Sequence, residues 1–273
     1  MKWLVDNCVM TDEESSKLKN ALETSNDNVI VSRYRPFIDD KIEPVSADEP
    51  VVVYGTIQFA RKTRQYVGNL YNEEDYLVTH YRESTGIPDS YWLNNGGFYT
   101  WGYLLRNYDR ILHQEDALFI RPNSGGKVFT GFPVRKEKLL EEANSRMQLT
   151  GVEPTTLVQV SKAWTGISAE YRLFVYNQEV ITGSQYQDSR EKKEVGFVPD
   201  EVIAFGNEVA RQSNWLRPYV LDVAILDHGH SHAMYVLEIN CITCSGWYMS
   251  DYDKIVAALN DYTLKAHDDL YKI

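Results

Sequence analysis

Three oxygen-bearing side chains are set into two apolar segments near the end of the chain. Asp222 lies in YVLDVAILD, and Glu238 and Asn240 lie two residues apart in MYVLEIN. Side chains two apart on a strand point to the same face, so a neighbouring strand can bring Asp222 beside the other two. A carboxylate buried in an apolar strand is unfavourable without a partner. Magnesium is a natural partner because it commonly joins one or two carboxylates to nucleotide phosphates, which predicts a nucleotide enzyme.

The composition is that of a globular chain with an acidic balance. Its 273 residues are 43% hydrophobic and 25% charged, enough for one large domain or two modest ones. With 28 basic and 39 acidic residues the formal net charge is −11, which disfavours binding to a nucleic-acid backbone. No run approaches the ~20 apolar residues of a membrane span. The early acidic residues do not fit a signal peptide, and three cysteines make no disulfide framework, so we expect a cytoplasmic protein.

The first part of the chain alternates short apolar segments with polar ones. Strands are predicted at residues 2–6, 29–33 and 51–55, and a helix is predicted at 12–23. Strands separated by a helix are typical of a small α/β unit with a parallel sheet. The stretch 39–50, with two prolines and several acids, is expected to be a loop.

Hairpins and helices dominate the rest of the pattern. Further strands are predicted at residues 117–122, 127–132, 156–161, 170–176, 179–185, 219–227 and 234–240, and helices at 101–111, 135–147, 199–213 and 251–271. Turns are expected at 123–126, as the flexible tip of a hairpin, and at Asn177 and Gln178. Weak periodicity over 66–100 places a domain boundary near residue 95, giving domains 1–95 and 96–273.

Four segments, taken in order, carry a family resemblance. They are FIRPNSGGKVFTGF (119–132), LVQVSKAWTGISAEYRLFVYNQEVITGSQY (157–186), YVLDVAIL (219–226) and VLEINCITCSG (236–246). Together they resemble the ATP-grasp superfamily, with the greatest likeness to the ribosomal-protein glutamate-ligase type and to small ATP-grasp proteins of bacteriophage genomes. The resemblance implies an α/β pre-domain followed by an α+β ATP-grasp fold, in which two subdomains clamp ATP.

The resemblance also implies an activity and its cofactors. ATP and two Mg²⁺ ions would serve a ligase that phosphorylates a carboxylate and joins the resulting acylphosphate to an amine or a thiol. We expect a substrate that is a small molecule, a peptide or a protein, with no membrane or nucleic-acid partner. Two alternatives stay open at this point. One is an ATP-grasp phosphotransferase that acts on a non-carboxylate acceptor, and the other is an inactive nucleotide-binding or interaction module.

Roles for individual residues follow from the same resemblance. The implied metal ligands are Asp222, Glu238 and Asn240. The implied phosphate-binding cations are Arg121, Lys127 and Arg172, of which Lys127 and Arg172 would be catalytic. Adenine would be contacted by Gln159, Val160 and Ser161, and Glu170 would lie near the ribose. Lys127 follows a Gly-Gly pair that lets backbone N–H groups approach phosphate oxygens. The planar fork of Arg172 suits bidentate phosphate contacts.

Two positions depart from the family pattern. Such families usually carry a lysine where this chain has Arg121, which keeps the charge but changes the geometry of the contact. The adenine hinge also lacks the acidic residue that many relatives have at its start, and Gln159 is the nearest candidate. Simpler readings remain for the charged residues as well. The acids could form ion pairs, Arg121 and Lys127 could be exposed hairpin charges, and Arg172 could pair with an acid on the sheet face.

Two further groups of side chains have chemical potential. Cys241 and Cys244 form a single C-x-x-C, which without a second pair is weak support for zinc, and no thioredoxin-like context favours a redox role. They are expected to line a loop near the nucleotide. The histidines of DHGHSH, which are His228, His230 and His232, occupy a Gly-containing turn between two strands. A solvated turn is favoured over a metal site there.

Overall fold

The computed structural model describes residues 1–6, 10–32, 34, 42, 46, 48–111, 113–126, 128–150, 152–189, 191–227, 229 and 231–271, with the backbone alone at 146–149 and 271. Within these residues the chain forms three sheets with helices packed around them. Lys127, His228 and His230, which the sequence analysis singled out, lie outside the described residues.

The first sheet is parallel and has three short strands. β1 (Lys2–Asp6) lies between β2 (Asn28–Ser32) and β3 (Val51–Tyr54). Helix α1 (Asp12–Thr24) connects the first two strands and begins with a complete capping box. The predicted strands and helix are confirmed to within one residue. The loop predicted at 39–50 falls mostly outside the described residues.

Two short helices follow where the sequence predicts no element. In α2 (Ile57–Lys62), the Thr56 hydroxyl caps the first turn by accepting a hydrogen bond from the N–H of Phe59. Helix α3 (Val78–Ser84) buries Tyr81. Each helix has about two turns or fewer, too short for an amphipathic period to stand out.

The second sheet is antiparallel and has the strand order β4-β7-β5-β6. Its strands are β4 (Gly97–Thr100), β5 (Ala117–Pro122), β6 (Phe132–Arg135) and β7 (Leu157–Lys162). Helices α4 (Trp101–Asn107) and α5 (Leu139–Thr150) pack against it and share its core. The predicted domain boundary near residue 95 falls just before β4, and the division into 1–95 and 96–273 stays a prediction.

The strand predicted at 127–132 is wrong. Within the described residues, β6 begins only at Phe132. Phe132 and Val134 are buried while Pro133 is exposed, which is the period of two expected of a half-buried strand. The proline is tolerated because β6 lies at the edge of its sheet. The glycine-containing loop between β5 and β6 is therefore longer than predicted, and its described residues are 123–126 and 128–131.

The third sheet is antiparallel and has the strand order β10-β9-β8-β11-β12. Its strands are β8 (Ile167–Tyr176), β9 (Glu179–Asp188), β10 (Glu191–Val195), β11 (Tyr219–Asp227) and β12 (His232–Asn240). The predicted tight turn is confirmed, since Asn177 and Gln178 have φ of 50° and 61°, as a two-residue hairpin requires. The sequence does not predict β10 because its EKKEV segment is almost wholly exposed.

Two buried clusters organise these elements. The larger cluster joins the first and third sheets, where Trp3 and Trp247 meet edge to face at 6.4 Å, and it includes residues of α6 (Asp200–Gln212) and α7 (Tyr252–Tyr271). The smaller cluster belongs to the second sheet and its helices. None of the helices described here is long and apolar enough to cross a membrane.

Candidate active site

A cavity of about 700 Å³ is lined by residues of the second and third sheets and of the segment after the first sheet. This volume lies within the range of roughly 300–1,000 Å³ typical of ligand pockets. The charged side chains among its described lining residues are Arg121, Glu170, Arg172 and Glu238. All four are residues that the sequence nominates for the site.

Arg172 and Asp222 form a buried bidentate ion pair across neighbouring strands. They are direct partners in the register of β8 and β11, and their side chains are joined by Nε–Oδ1 and Nη2–Oδ2 hydrogen bonds of 2.8 Å each. Arg172 is 7% exposed and Asp222 is 1% exposed. Burial alone would lower the pKa of Arg172, but the adjacent Asp222 carboxylate raises it above the usual arginine range.

Asn240 connects the two acids. Its amide nitrogen donates to Asp222 Oδ2 at 2.9 Å and to Glu238 Oε1 at 2.8 Å. The register of β11 and β12 places Asp222 opposite Glu238, and a bulge follows immediately after this pair. The three side chains predicted as metal ligands therefore meet in one hydrogen-bonded group, in which Glu238 and Asn240 line the cavity and Asp222 is buried beside them.

The donor chemistry of this group fits a magnesium ion. Two carboxylates and one amide supply hard oxygen ligands, which Mg²⁺ prefers, and one or two protein carboxylates usually suffice when phosphates complete the shell. In the described part of the chain no three His, Cys, Asp or Glu side chains form a metal cluster, so the candidate set depends on the amide of Asn240 as its third member. The assignment of Asp222, Glu238 and Asn240 to metal stays a prediction.

Arg121 reaches the same group from the second sheet. Its Nη2 donates to Glu238 Oε2 at 2.7 Å, and its Nη1 donates to the carbonyl of Leu237 at 3.3 Å. Burial alone would lower the pKa of Arg121, whereas Tyr81 and Glu238 raise it. Asp222 is thus paired with Arg172 of the third sheet, and Glu238 is paired with Arg121 of the second sheet.

Glu170 is the second acid that lines the cavity, beside Glu238. It lies two residues before Arg172 on β8 and accepts a hydrogen bond of 2.6 Å from the hydroxyl of Tyr186 on β9. Burial raises the pKa of Glu170 above its usual range, the Tyr186 hydrogen bond opposes the rise, and the charges of Asp222 and Glu238 add to it. A contact to a ribose, as predicted, is not tested by this arrangement.

The glycine-containing loop is attached to the segment around α3. The carbonyl of Asn123 accepts a hydrogen bond of 2.8 Å from the N–H of Val78, and its side chain exchanges hydrogen bonds with Thr79. A β-carbon at Gly125 would lie 2.6 Å from Cβ of Tyr76, so this close approach requires glycine. The loop thereby covers one side of the cavity. The predicted roles of Lys127 remain predictions.

The residues predicted to contact adenine lie on β7, outside the described lining of the cavity. Gln159 donates to the carbonyl of Asn94 at 2.6 Å, Ser161 donates to its side chain at 3.3 Å, and neither they nor Val160 belong to the described lining. Asn94 itself lines the cavity, as does Trp164, just beyond β7. Sequence reasoning missed both, although the position of Trp164 directly after the predicted hinge strand was a usable indication.

Both cysteines line the cavity, and their place near the nucleotide stays a prediction. Cys241 follows the metal-ligand candidate Asn240 and precedes a 3₁₀ turn that ends at Cys244. Burial would raise the pKa of the Cys241 thiol, but hydrogen bonding by Cys244 and Thr243 lowers it to about 7. In the histidine-containing turn, the structure describes His232, which begins β12. Its Nε2 lies 3.7 Å from Oε1 of Glu201.

The sequence of this chain matches a known protein family. Residues 103–259, more than half of the chain, match the family described as ATP-grasp domain, R2K clade family 3. The chain belongs to the ATP-grasp family. The predicted superfamily and the predicted fold class, an α/β unit followed by an ATP-grasp fold, are thereby confirmed. No curated protein matches this ATP-grasp chain.

Solved structures share the fold at low sequence identity. The ATP-grasp ligase PsnB complexed with a minimal precursor, Mg and ADP matches with a TM-score of 0.55 and 13% identity, covering 96% of both chains. A RimK-domain ATP-grasp protein from Sphaerobacter thermophilus matches with 0.55 and 10% identity, covering 97% and 100%. D-alanine–D-alanine ligase from Bacillus anthracis complexed with ATP matches with 0.55 and 12% identity, covering 98% and 99%. The ATP-grasp fold therefore extends over nearly the whole chain.

Proposed function

We propose that this protein is an ATP-dependent carboxylate–amine ligase that forms an amide bond and releases ADP and phosphate. The observation that carries the proposal is the group of Asp222, Glu238 and Asn240, held between Arg172 and Arg121 from two different sheets. Two acids and two arginines line this cavity, an arrangement that suits a metal-bound polyphosphate. The family of the chain and the ATP and Mg–ADP complexes of its structural relatives support the same cofactors.

Arg121 and Arg172 would stabilise the negative charge of the first step. A substrate carboxylate attacks the γ-phosphorus of ATP, and ADP leaves as the acylphosphate forms. Arg121 and Arg172 would bind the phosphate oxygens and oppose the charge that spreads over the transferring group. When bound, two magnesium ions held by Asp222, Glu238 and Asn240 would neutralise the β- and γ-phosphates.

The second step needs a dry site and a neutral amine. The amine attacks the acyl carbon, phosphate leaves, and the nitrogen gives up a proton. The glycine-containing loop, attached at Asn123, would cover the acylphosphate and exclude water during this step. No side chain has to act as a covalent nucleophile. The sequence-based assignments of Lys127 to phosphate and of residues 159–161 to adenine belong to this proposal.

The structural relatives support both a peptide and a small-molecule substrate, two of the kinds that the sequence predicts. PsnB is complexed with a precursor, whereas D-alanine–D-alanine ligase is named for a small amino acid. We propose that the protein joins a carboxylate substrate of either type to an amine. We also propose that it acts in the cytoplasm, without a membrane or a nucleic-acid partner.

Calorimetry with Mg-ATP provides the first test. The wild type should bind ATP only with magnesium, and binding should be lost in the double variant Glu238→Ala, Asn240→Ala. Acceptor chemistry is then tested with panels of amino acids and peptides in the presence of hydroxylamine, which converts acylphosphates to hydroxamates. Hydroxamate formation with release of ADP supports a ligase. A stable phosphorylated product instead supports phosphotransfer to another acceptor, and absence of Mg-ATP binding contradicts the proposed function.

A further inference from the structure

Two tyrosines lie against the guanidinium of Arg172. Its Cζ is 5.4 Å from the ring centroid of Tyr186 and 5.0 Å from that of Tyr248. The two rings are themselves nearly parallel, with centroids 5.6 Å apart and an interplanar angle of 20°. The three groups thus form a compact triangle at the cavity wall, which we call the Arg172 bracket. Cations at these distances from aromatic faces are attracted by the ring quadrupole.

The bracket and the hydrogen bonds of Arg172 use different parts of the guanidinium. Nε and Nη2 donate to Asp222, and Nη1 donates to the carbonyl of Gly246 at 3.3 Å. These contacts lie in the guanidinium plane, whereas attraction to a π-system acts through the ring faces. Loss of an in-plane partner therefore leaves the ring contacts in place.

Both rings are fixed by features outside the bracket. The Tyr186 hydroxyl donates to Glu170 at 2.6 Å. Tyr248 has a φ of 49°, in the left-handed region that residues other than glycine rarely occupy. Such backbone conformations persist where the surrounding structure enforces them and are concentrated at functional sites. With this left-handed backbone, the ring of Tyr248 lies over Arg172.

We infer that Tyr186 and Tyr248 are positioning residues that hold Arg172 at the cavity wall while it binds a phosphate of ATP. The inference rests on the proposed function. Nη2 of Arg172 uses one N–H for Asp222 and Nη1 uses one for the carbonyl of Gly246, and each of these nitrogens carries a second N–H. The bracket keeps this second pair of N–H groups at the cavity, ready for a bidentate contact with phosphate while the Asp222 contact is retained.

Calorimetry of the magnesium complex of AMPPNP tests the inference in four proteins. Tyr248→Leu keeps a branched apolar side chain but removes the ring, and we expect affinity to fall about tenfold, because Arg172 is then no longer held in place for phosphate. Tyr248→Phe should recover most of the loss because it restores the ring. Tyr103→Leu is the matched control: Tyr103 stacks on Tyr99 at 5.8 Å and lies outside the cavity lining, so its loss should leave affinity unchanged.

A second readout follows Arg172 itself. In ¹H–¹⁵N spectra, the Arg172 Nε–H signal should be sharp in the wild type and should move when Mg-AMPPNP is added, because a phosphate then binds the same guanidinium. In Tyr248→Leu it should broaden in the bound state. Equal affinity of the Leu variant and the wild type, or an Arg172 signal that does not move on binding, overturns the bracket. Absence of nucleotide binding by the wild type overturns the proposed function as well, so the two failures are distinguishable.

Discussion

Arg121 and Glu238, 117 residues apart in the chain, form a 2.7 Å ion pair that joins the second sheet to the third. Both side chains are mostly buried, and Asn240 continues the contact to Asp222. The pair therefore links the two faces of the cavity through the residues proposed to bind metal and phosphate. Nucleotide binding has to be compatible with this link or replace it.

Arg121 should be required for nucleotide affinity. Replacement by alanine removes a buried cation from the proposed phosphate site, and a charge-assisted hydrogen bond is worth about 1.5–3 kcal/mol. We expect Arg121→Ala to weaken Mg-ATP binding by roughly ten- to a hundredfold in calorimetry. Arg121→Lys should recover part of the loss, since it keeps the charge without the fork. The exposed Arg135, on the adjacent strand, provides a control: Arg135→Ala should bind as the wild type does.

Asp222 should matter for stability as well as for binding. Asp222→Asn leaves Arg172 buried without its counter-charge, and breaking a buried pair typically costs about 3–5 kcal/mol. We expect the free energy of unfolding in urea to fall by that amount. Asp188→Asn removes a carboxylate from an exposed pair with Lys193 on the same sheet, and it should lower the free energy of unfolding far less, because solvent screens an exposed pair. Similar losses in the two variants would contradict the buried-pair assignment.

Glu170 should make stability depend on pH. Its folded-state pKa is raised above the ordinary value of 4.5, so the folded protein keeps this proton to a higher pH than the unfolded chain. The contribution of Glu170 is fully present below pH 4.5 and is lost as pH rises through the folded-state pKa. Glu170→Gln, which does not titrate, should therefore gain stability relative to the wild type as pH rises through that window.

A second variant tests the cause of this pH dependence. The Tyr186 hydrogen bond opposes the rise in the pKa of Glu170, so Tyr186→Phe should move the window to higher pH. Urea unfolding at a series of pH values measures both effects. A difference between Glu170→Gln and the wild type that is constant across the series would show that Glu170 titrates alike in both states.

The sequence predicts the site residues better than their contacts. The sequence indicates Asp222, Glu238 and Asn240 because burying a carboxylate in an apolar strand is unfavourable without a partner. The two-residue period of a strand places Glu238 and Asn240 on one face. Their partners could not be derived, because the pairing of Arg172 with Asp222 depends on strand register over a separation of 50 residues. The link from Arg121 to Glu238 depends on how two sheets face each other, which no local pattern encodes.

Elements were missed where local patterning is weak. β10 is an exposed edge strand without apolar alternation, and α2 is a helix of six residues. The strand predicted at 127–132 is wrong because a hydrophobic segment next to a glycine turn does not by itself show where pairing starts. Phe129 is buried, but pairing with β5 begins only at Phe132. Tertiary context, not propensity, decides such short segments.

Gly125 should be required for the closure of the glycine-containing loop. A β-carbon there would lie 2.6 Å from Cβ of Tyr76 and 2.9 Å from its carbonyl oxygen, so the loop would have to move away from the segment that holds it. We expect Gly125→Ala to weaken Mg-ATP binding several-fold and to raise protease cleavage within 123–131. Gly126→Ala is the matched control in the same loop, because its β-carbon would meet only mobile side-chain ends at 3.1 Å or more. If both variants bind Mg-ATP as tightly as the wild type, the contact between the loop and Tyr76 has no part in nucleotide binding.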